Sequence, residues 1–444
     1  MTALPKRRKR LTLWMVTANV MAIVLAVGLA VTGVVALSRY SAAKNTESDL
    51  PLQRIPATPT GLLGTVDADN VLTSLTVFVA NPDPDESDAI ADQRGGSIIS
   101  IPVNADTAGG LVDAERVSLR QVFATAGRDG LAAAAEAAIG LSFDFVEVQQ
   151  VDQVAGDLLS IAPFDVNFAD DVVSTANGDD GVVFAAGPRT LTAAEMAKVL
   201  VSHDADQPER FRRPMLETVW RSVAASAVLR GATPALLPAI DSLESLIVHV
   251  FSGPVASRGL PATVFDAAAN PESLDVELLD RIETVLVFAS IAPAAMAAPL
   301  PGPLYRIEAP PGNEARVRDM IGAILYFGGN VTSVNLNGPA QEFTDIVVYD
   351  ALDKASVEQA ASADEGIRFI EPTVRIDGVD IWMVLGSRFL DAAPTPTTTD
   401  AATADTTPGD TTLGDTTPGD TTPGDTSSPV TTSGDTGATT GTEP

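Results

Sequence analysis

The N-terminal end of the chain combines a basic cluster with a long apolar run, and together they constrain the topology of everything that follows. Residues Lys6 to Arg10 are all basic, and the run Leu11–Leu37 that follows them carries no charged side chain. A helix that crosses a bilayer needs about 20 apolar residues, and flanking basic residues stay on the cytoplasmic side. We therefore expect a single-pass protein of the cell membrane, with residues 1–10 cytoplasmic, a transmembrane helix at 11–37 and the bulk of the chain extracytoplasmic.

A cleaved signal peptide is the alternative interpretation of the same segment. Alanine-rich sequence follows near Ala42, where a signal peptidase could cut. The apolar core of a signal peptide spans about 7–15 residues, however, and this run is longer. The length therefore favours an anchor.

Charge and cysteine content exclude several functional classes. The formal net charge is −30, which repels nucleic acid and anionic membrane surfaces. A phosphorylated ligand would also be repelled unless local arginines or a metal ion reversed the potential. The chain has no cysteine, so disulfides, thiolate metal sites and a cysteine nucleophile are excluded. We expect no nucleic-acid partner.

Residues 38–60 form a polar linker, and strands then alternate with helices over residues 61–250. Buried strands are predicted at Leu75–Ala80 and Ile98–Ile101. A helix is predicted over Val117–Ile139, broken near Gly127–Gly130 and ended by Gly140. This alternation predicts a mixed α/β domain, in which a central sheet is flanked by helices. The other predicted elements are a strand at Phe143–Val148 and helices at Val151–Ser160, at Leu191–Val201 with Thr190 or Thr192 as cap, at Met215–Leu229 and at Leu236–Val250.

Three further segments complete the chain. Residues 251–303 are predicted to be a helical extension and linker, with a helix over Leu274–Ile291. Residues 304–390 are predicted to form a small α/β module, and residues 391–444 an acidic tail rich in Thr, Pro, Gly and Asp. The tail repeats the unit TTPGD and shows no apolar periodicity, so we expect it to be disordered. A Thr/Pro-rich stalk open to O-glycosylation is the alternative.

Several motifs in this order resemble the LytR-CpsA-Psr family of cell-envelope proteins, also called cell-envelope-related transcriptional attenuators. The motifs are SIISIP (Ser97–Pro102), LRQVFATAG (Leu119–Gly127) and AGPRTLTAAEMAKVLVS (Ala186–Ser202). PPGNEARVRDMIGAILYFGGNV (Pro310–Val331) resembles the separate LytR C-terminal domain. The resemblance implies a membrane-anchored α/β domain that transfers polyprenyl-pyrophosphate-linked glycopolymers onto peptidoglycan. Polyprenyl lipid, peptidoglycan and envelope proteins are then the expected partners, beside the cytoplasmic membrane.

The charged positions that the resemblance implies are mostly absent. Arginine forks would hold the pyrophosphate, and a carboxylate would hold Mg²⁺. Val103 and Asn104 stand where the family has Arg-Asp after Ser-Ile-Pro. Leu72–Ser74 stand in place of its Arg-x-Asp, and Val201 and His203 in place of its Arg-x-Arg.

One pair of arginines does match the family pattern. Arg210 and Arg213 in ERFRRP fit its Arg-x-x-Arg before the last long helix. The candidates for binding phosphate or lipid pyrophosphate are therefore Arg210, Arg212, Arg213, Asn104 and Asp106, where Asp106 would replace the lost carboxylate by a two-residue shift. The alternative is that the arginines are solvated and paired with Asp204, Asp206 and Glu209.

Metal and catalytic sites find little support in the sequence. His203 with Asp204 and Asp206 is too small a set to predict a metal site, and the acidic loop Asn81–Gln93 lacks the ligand spacing of a calcium loop. No catalytic residue and no cofactor is assigned, and Mg²⁺ is expected only if the protein is active. The sequence thus predicts a degenerate, non-catalytic family member that acts as a binding or scaffold protein in envelope glycopolymer assembly. The alternatives are an active glycopolymer–peptidoglycan phosphotransferase with a rearranged site, and a wall- or protein-interaction module carried on an inert stalk.

Overall fold

The computed structural model describes residues 50–392, except for 83–93, 110, 112–113, 176–180, 205, 231–238, 267, 300, 350–353, 356 and 360–364. The predicted spanning helix at 11–37, most of the acidic loop and nearly all of the predicted tail lie outside the described residues. Within the described ranges, no helix is both long enough and apolar enough to cross a membrane.

A five-stranded mixed sheet forms the centre of the larger part of the molecule. Its strand order is β10-β4-β3-β2-β5, with antiparallel pairing of β2 to β3 and of β3 to β4, and parallel pairing at both outer strands. The strands are β2 (Thr60–Val66), β3 (Leu72–Ala80), β4 (Gly96–Ile101), β5 (Phe145–Gln150) and β10 (Val255–Gly259). Because β2, β3 and β4 are buried along their whole length, the sheet must be covered on both faces.

Helices cover both faces of this sheet and confirm the predicted mixed α/β architecture. On one face, α1 (Leu119–Ile139) and α6 (Arg281–Ile291) pack against alternate strand residues such as Val77 and Val79. On the other face, the strand residues between them, such as Phe78, meet the remaining helices. Those helices are α2 (Val151–Leu158), α3 (Ala193–Val201), α4 (Arg213–Arg230) and α5 (Leu243–Phe251).

Helix ends follow local sequence signals closely. Ser118 and Gln121 form a capping box at the start of α1, and Gly140 ends that helix with φ of 68°. Gly127 interrupts α1 with φ of 65° and ψ of −159°, which confirms the predicted break. Thr192, not Thr190, caps α3, and its capping box includes Glu195.

Two predictions about residues 251–291 differ from the structure. The main sheet extends past residue 250, because β10 pairs in parallel with β4. The helix predicted over Leu274–Ile291 begins only at Arg281, where the Asp280 side chain accepts from the Glu283 N–H. The preceding residues form β12 (Glu277–Leu279), which pairs with β11 (Ala262–Val264).

The remaining elements before residue 300 are short. Strand β6 (Phe164–Phe168) pairs with β9 (Gly187–Leu191), and β7 (Val172–Ser174) pairs with β8 (Gly181–Phe184). Single 3₁₀ turns lie at Leu159–Ile161, Glu209–Phe211 and Pro293–Ala295.

The C-terminal part contains its own five-stranded sheet, with order β14-β13-β18-β15-β16. The elements are β13 (Leu304–Glu308), α7 (Glu314–Tyr326), β14 (Asn330–Asn335), β15 (Thr344–Val348), β16 (Ile367–Phe369), β17 (Arg375–Ile376), β18 (Ile381–Val384) and α8 (Ser387–Leu390). Strand β1 (Leu52–Gln53), from the predicted linker, pairs in parallel with β17. The N-terminal linker is therefore attached to this C-terminal part.

Candidate functional site

The turn after β4 lies beneath the segment that leads into β12. The Asn104 carbonyl accepts from the Glu277 N–H at 3.0 Å, and the Asp106 N–H donates to the Glu277 carbonyl at 2.8 Å. The Asn104 side chain donates to Asp275 Oδ1 at 3.1 Å. Val103 and Asn104 are each 1 % exposed, so this turn is buried rather than open to a ligand.

Asp106 is held by a buried arginine. Arg116 Nη1 donates to Asp106 Oδ2 at 3.2 Å, and both side chains are almost completely buried. The same guanidinium donates to the carbonyls of Leu111 and Ala269 and lies 4.3 Å from the Phe265 ring centroid. The carboxylate that was predicted to replace a metal ligand therefore anchors the loop after β4.

Arg212 is buried and bonded on all sides. Its guanidinium donates to the carbonyls of Thr73, Leu200 and Ser202 and, at 2.8 Å, to Glu209 Oε1. The side chain is 9 % exposed. Burial lowers the pKa of the Arg212 guanidinium, and the neighbouring Glu209 carboxylate acts in the opposite direction. This arginine joins the first residues of β3 to the end of α3.

Glu209 contacts three other members of the charged cluster. Its buried carboxylate accepts from Arg212 and, at 2.6 Å, from Arg120 Nη2, while its backbone N–H donates to Asp275 Oδ2 at 3.0 Å. Arg120 also donates to the Leu72 carbonyl at 2.8 Å. Asp275 thus links the Asn104 turn to the start of the arginine-rich segment.

Arg213 is paired with a second buried carboxylate. Its Nη2 donates to Glu277 Oε1 at 3.0 Å, and its Nη1 donates to the Ala262 carbonyl at 3.3 Å. Burial raises the pKa of the Glu277 carboxyl, Arg213 lowers it, and Asp275 raises it again. Arg210, by contrast, is exposed and lies 4.8 Å from the Phe211 ring centroid.

The structure thus brings together residues that lie far apart in the sequence, and it pairs the charges of Arg120, Arg212 and Arg213 internally. Of the three acids predicted to pair with the arginines, Glu209 does so. The residues that sequence reasoning missed are Arg120, Asp275 and Glu277. The segment LDVELLD (Leu274–Asp280) alternates acidic and apolar residues, a pattern that fits a strand as well as the predicted helix. That alternation was the signal in the sequence for Asp275 and Glu277.

A cavity of about 470 Å³ lies beside this cluster, between β6–β7, the end of α3 and the start of α4. Apolar side chains such as Phe168, Val172 and Met215 contribute to its wall, and Asp170, Asp171 and Asp204 are among its polar residues. His203 also lines it, with Nδ1 4.0 Å from Asp67 Oδ2. The cavity therefore offers more carboxylates than free cations.

The donor set does not fit Mg²⁺. Among the residues that the structure describes, no three His, Asp or Glu side chains converge as metal ligands. The carboxylates of Asp106, Glu209 and Glu277 each accept from an arginine instead. A hard cation needs several oxygen ligands at once, and at least one oxygen of each of these carboxylates already accepts from a guanidinium group.

Comparison with known proteins gives structural similarity alone. No family model and no curated protein matches the chain. Lin1025 from Listeria innocua is 17 % identical, with a TM-score of 0.31 over 52 % of this chain and 96 % of that one. B. subtilis TagT is 17 % identical with a TM-score of 0.36, and TagT bound to LIIa-WTA is 14 % identical with a TM-score of 0.37; each match covers 52 % of this chain and 88 % of the other. Similarities with TM-scores this low do not establish a shared fold or a shared function.

Proposed function

We propose that this is an extracytoplasmic, membrane-anchored protein of the cell envelope that resembles the LytR-CpsA-Psr family but does not transfer glycopolymers. It acts as a binding or scaffold protein in envelope glycopolymer assembly. The anchor is the apolar run Leu11–Leu37, and the resemblance rests on the motifs of the strands and helices around the charged cluster.

One observation carries this proposal: Arg120, Arg212 and Arg213 at the candidate site are paired with the chain's own carboxylates. Arg120 and Arg212 share Glu209, and Arg213 pairs with Glu277. A bound pyrophosphate would have to displace a carboxylate that is already buried and paired. Separating a buried ion pair costs several kcal/mol, so the internal pairs compete strongly with a phosphate ligand.

The donor groups among the described residues point the same way. Transfer of a pyrophosphate-linked polymer requires positive charge that is free to stabilise the developing negative charge on the phosphates. Here Arg120, Arg212 and Arg213 serve internal acceptors, and the carboxylates of the cluster do not fit Mg²⁺. The same pairing counts against an active transferase with a rearranged site.

The test uses the full chain in detergent micelles, titrated with a polyprenyl pyrophosphate in the presence and absence of Mg²⁺. We expect no cleavage of the pyrophosphate bond under either condition. Cleavage that requires Mg²⁺ and is abolished by Arg213→Ala would overturn the proposal. Binding without cleavage would support a lipid-holding scaffold.

A gain-of-binding variant tests the internal pairing directly. Glu277→Gln removes the carboxylate that holds Arg213. We therefore expect this variant to bind inorganic pyrophosphate with an affinity at least about tenfold higher than that of the wild type. Isothermal titration calorimetry measures this gain. Glu217→Gln, on the same α4 helix as Arg213, removes an equal charge elsewhere and serves as the matched control. Equal affinities for the two variants would mean that the Arg213–Glu277 pair does not block the site.

A further inference from the structure

Two adjacent aromatic side chains at the end of α7 are almost fully exposed. Tyr326 is 84 % exposed and Phe327 is 83 % exposed, the highest values among the large apolar side chains that the structure describes. Their ring centroids lie 5.3 Å apart in an edge-to-face arrangement, so they form one aromatic projection. Large aromatic side chains on a water-exposed surface mark a contact site more often than isolated aliphatic ones do.

This projection lies at one defined edge of the C-terminal sheet. The chain runs from Phe327 through Gly328 and Gly329 directly into β14, which is parallel to β13. The Asn330 N–H donates to the Pro303 carbonyl at 2.9 Å, next to the start of β13. The aromatic pair therefore lies at the edge where the parallel strands begin.

The N-terminal linker arrives at the same edge. Strand β18 is also parallel to β13, and the Asp380 N–H just before it donates to the Leu304 carbonyl at 2.8 Å. Strand β17 immediately precedes this point, and its partner β1 is the linker strand. The segment that follows the apolar run thus joins the C-terminal part at the end of the sheet where the parallel strands begin. The same end carries Tyr326 and Phe327.

Chain length limits how far this edge can lie from the apolar run. At about 3.5 Å per residue when fully extended, the stretch from Leu37 to Leu50 reaches no further than roughly 45 Å. Any less extended path brings the edge nearer. This reach allows the exposed aromatic pair to contact the bilayer that holds the anchor. Amphipathic rings such as that of Tyr326 settle among lipid headgroups in the aromatic belts of membrane–water interfaces.

We propose that Tyr326 and Phe327 insert into the interface of the bilayer that holds the anchor, so that the C-terminal part lies against the membrane. This inference rests on the proposed membrane anchor. It assigns a lipid surface as the partner of the aromatic projection, bound through the rings and not through charge, since the net charge of −30 repels anionic headgroups. It also opposes an arrangement in which a stalk holds the C-terminal part away from the membrane.

The experiment places a fluorescent reporter at the projection in the full chain, reconstituted into phosphatidylcholine nanodiscs. The background carries Trp14→Phe, which removes the tryptophan in the apolar run, and Phe327→Trp adds a reporter at an exposed position. Phe211→Trp is the matched control, because Phe211 is 62 % exposed but lies in the main part, in the 3₁₀ turn Glu209–Phe211. Brominated acyl chains quench tryptophan that enters the bilayer.

We expect brominated lipid to quench at least half of the emission that Phe327→Trp adds, and to leave the emission added by Phe211→Trp unchanged. Tyr326→Trp provides a second reporter and should behave like Phe327→Trp. Nanodisc incorporation without quenching of either reporter would overturn the inference while leaving the anchor intact. Emission that responds to soluble peptidoglycan fragments, or to added protein, but not to brominated lipid would assign the projection to a glycan or a second copy and also overturn it. A chain that fails to enter nanodiscs would instead refute the anchor itself.

Discussion

In the sequence Arg212 resembles a ligand-binding arginine, but in the structure its guanidinium is hydrogen-bonded to other parts of the chain. Its donors serve three backbone carbonyls and one carboxylate, and together these bonds tie β3 to the end of α3. The planar guanidinium makes this possible, because a lysine ammonium cannot reach acceptors in several directions at once. The role of Arg212 is therefore to stabilise the structure.

Substitution should separate this structural role from surface charge. We expect Arg212→Lys to lower the free energy of unfolding by about 2–4 kcal/mol, because it leaves buried carbonyls without donors. Arg210→Lys, at an exposed position in the same segment, should change it by less than about 0.5 kcal/mol. Urea denaturation measures both. Equal stabilities would show that the Arg212 bonds contribute nothing.

Asp157 offers a pH-dependent prediction at the residue scale. Burial raises the pKa of the half-buried Asp157 carboxyl; Gln149 lowers it by a hydrogen bond, and Glu244 and Glu147 raise it. A carboxyl whose pKa is raised on folding favours the folded state most at low pH. That contribution is lost as the pH rises from 3.8, the ordinary pKa of an aspartate carboxyl, through the higher pKa of the folded state.

Asp157→Asn should therefore stabilise the protein at pH 7. We expect a gain of about 0.5–1 kcal/mol, limited by the partial exposure of the site. The gain should shrink as pH falls towards 4, because the wild-type carboxyl then takes up a proton. Denaturation curves at both pH values test the sign. A gain that stayed constant with pH would exclude the titration of Asp157 as its cause.

At the scale of single elements, α1 depends on a glycine that no other residue replaces easily. Gly127 has φ of 65° and ψ of −159°, a backbone region that only glycine occupies without strain. It bends the helix between two segments that both contribute to the core, with Phe123 before it and Leu131 after it. The break is therefore part of how α1 covers the sheet.

Two glycine-to-alanine variants should have opposite effects. Gly127→Ala is expected to lower the free energy of unfolding by about 1–3 kcal/mol through backbone strain. Gly156 lies inside α2, and a Cβ added there would meet no other atom. Gly156→Ala should therefore raise the free energy of unfolding by about 0.5–1 kcal/mol. Thermal denaturation followed by circular dichroism distinguishes them. A neutral Gly127→Ala would mean that α1 can straighten without loss.

The elements also show what the sequence could and could not predict. Helix ends with local signals, such as Gly140 and Thr192, were predictable because capping depends on a few neighbouring residues. The strand at Glu277–Leu279 was not, because its short acidic and apolar pattern fits a helix equally well and its partner β11 is needed to decide. The ion pairs of Arg120 and Arg213 join residues far apart in the chain, so only the folded structure identifies their partners.

At the scale of the whole molecule, α6 joins the two sheets into one cooperative structure. Val287 and Phe288 of α6 belong to the core beneath the main sheet, whereas Leu286 and Ala289 belong to the core of the C-terminal part. Glu283 on the same helix pairs with Arg258 of β10 and with Arg318 of α7. A helix that contributes to two cores cannot be removed from one without exposing the other.

We therefore expect residues 50–392 to unfold in a single transition. Trp220 lies in the core of the main part, and Trp382 lies in β18 of the C-terminal part. Single-tryptophan variants, made by replacing the other tryptophans with phenylalanine, report on each part separately. In urea, both reporters should give the same midpoint.

Leu286→Ala makes the test sharper, because Leu286 belongs to the core of the C-terminal part and not to the core beneath the main sheet. The substitution should lower the free energy of unfolding by about 2–5 kcal/mol. Cooperative coupling requires that this loss appear equally at Trp220 and at Trp382. A midpoint shift confined to Trp382 would show that the C-terminal part folds as an independent module. In that case, an interaction domain that works separately from the rest of the protein would again become the better interpretation.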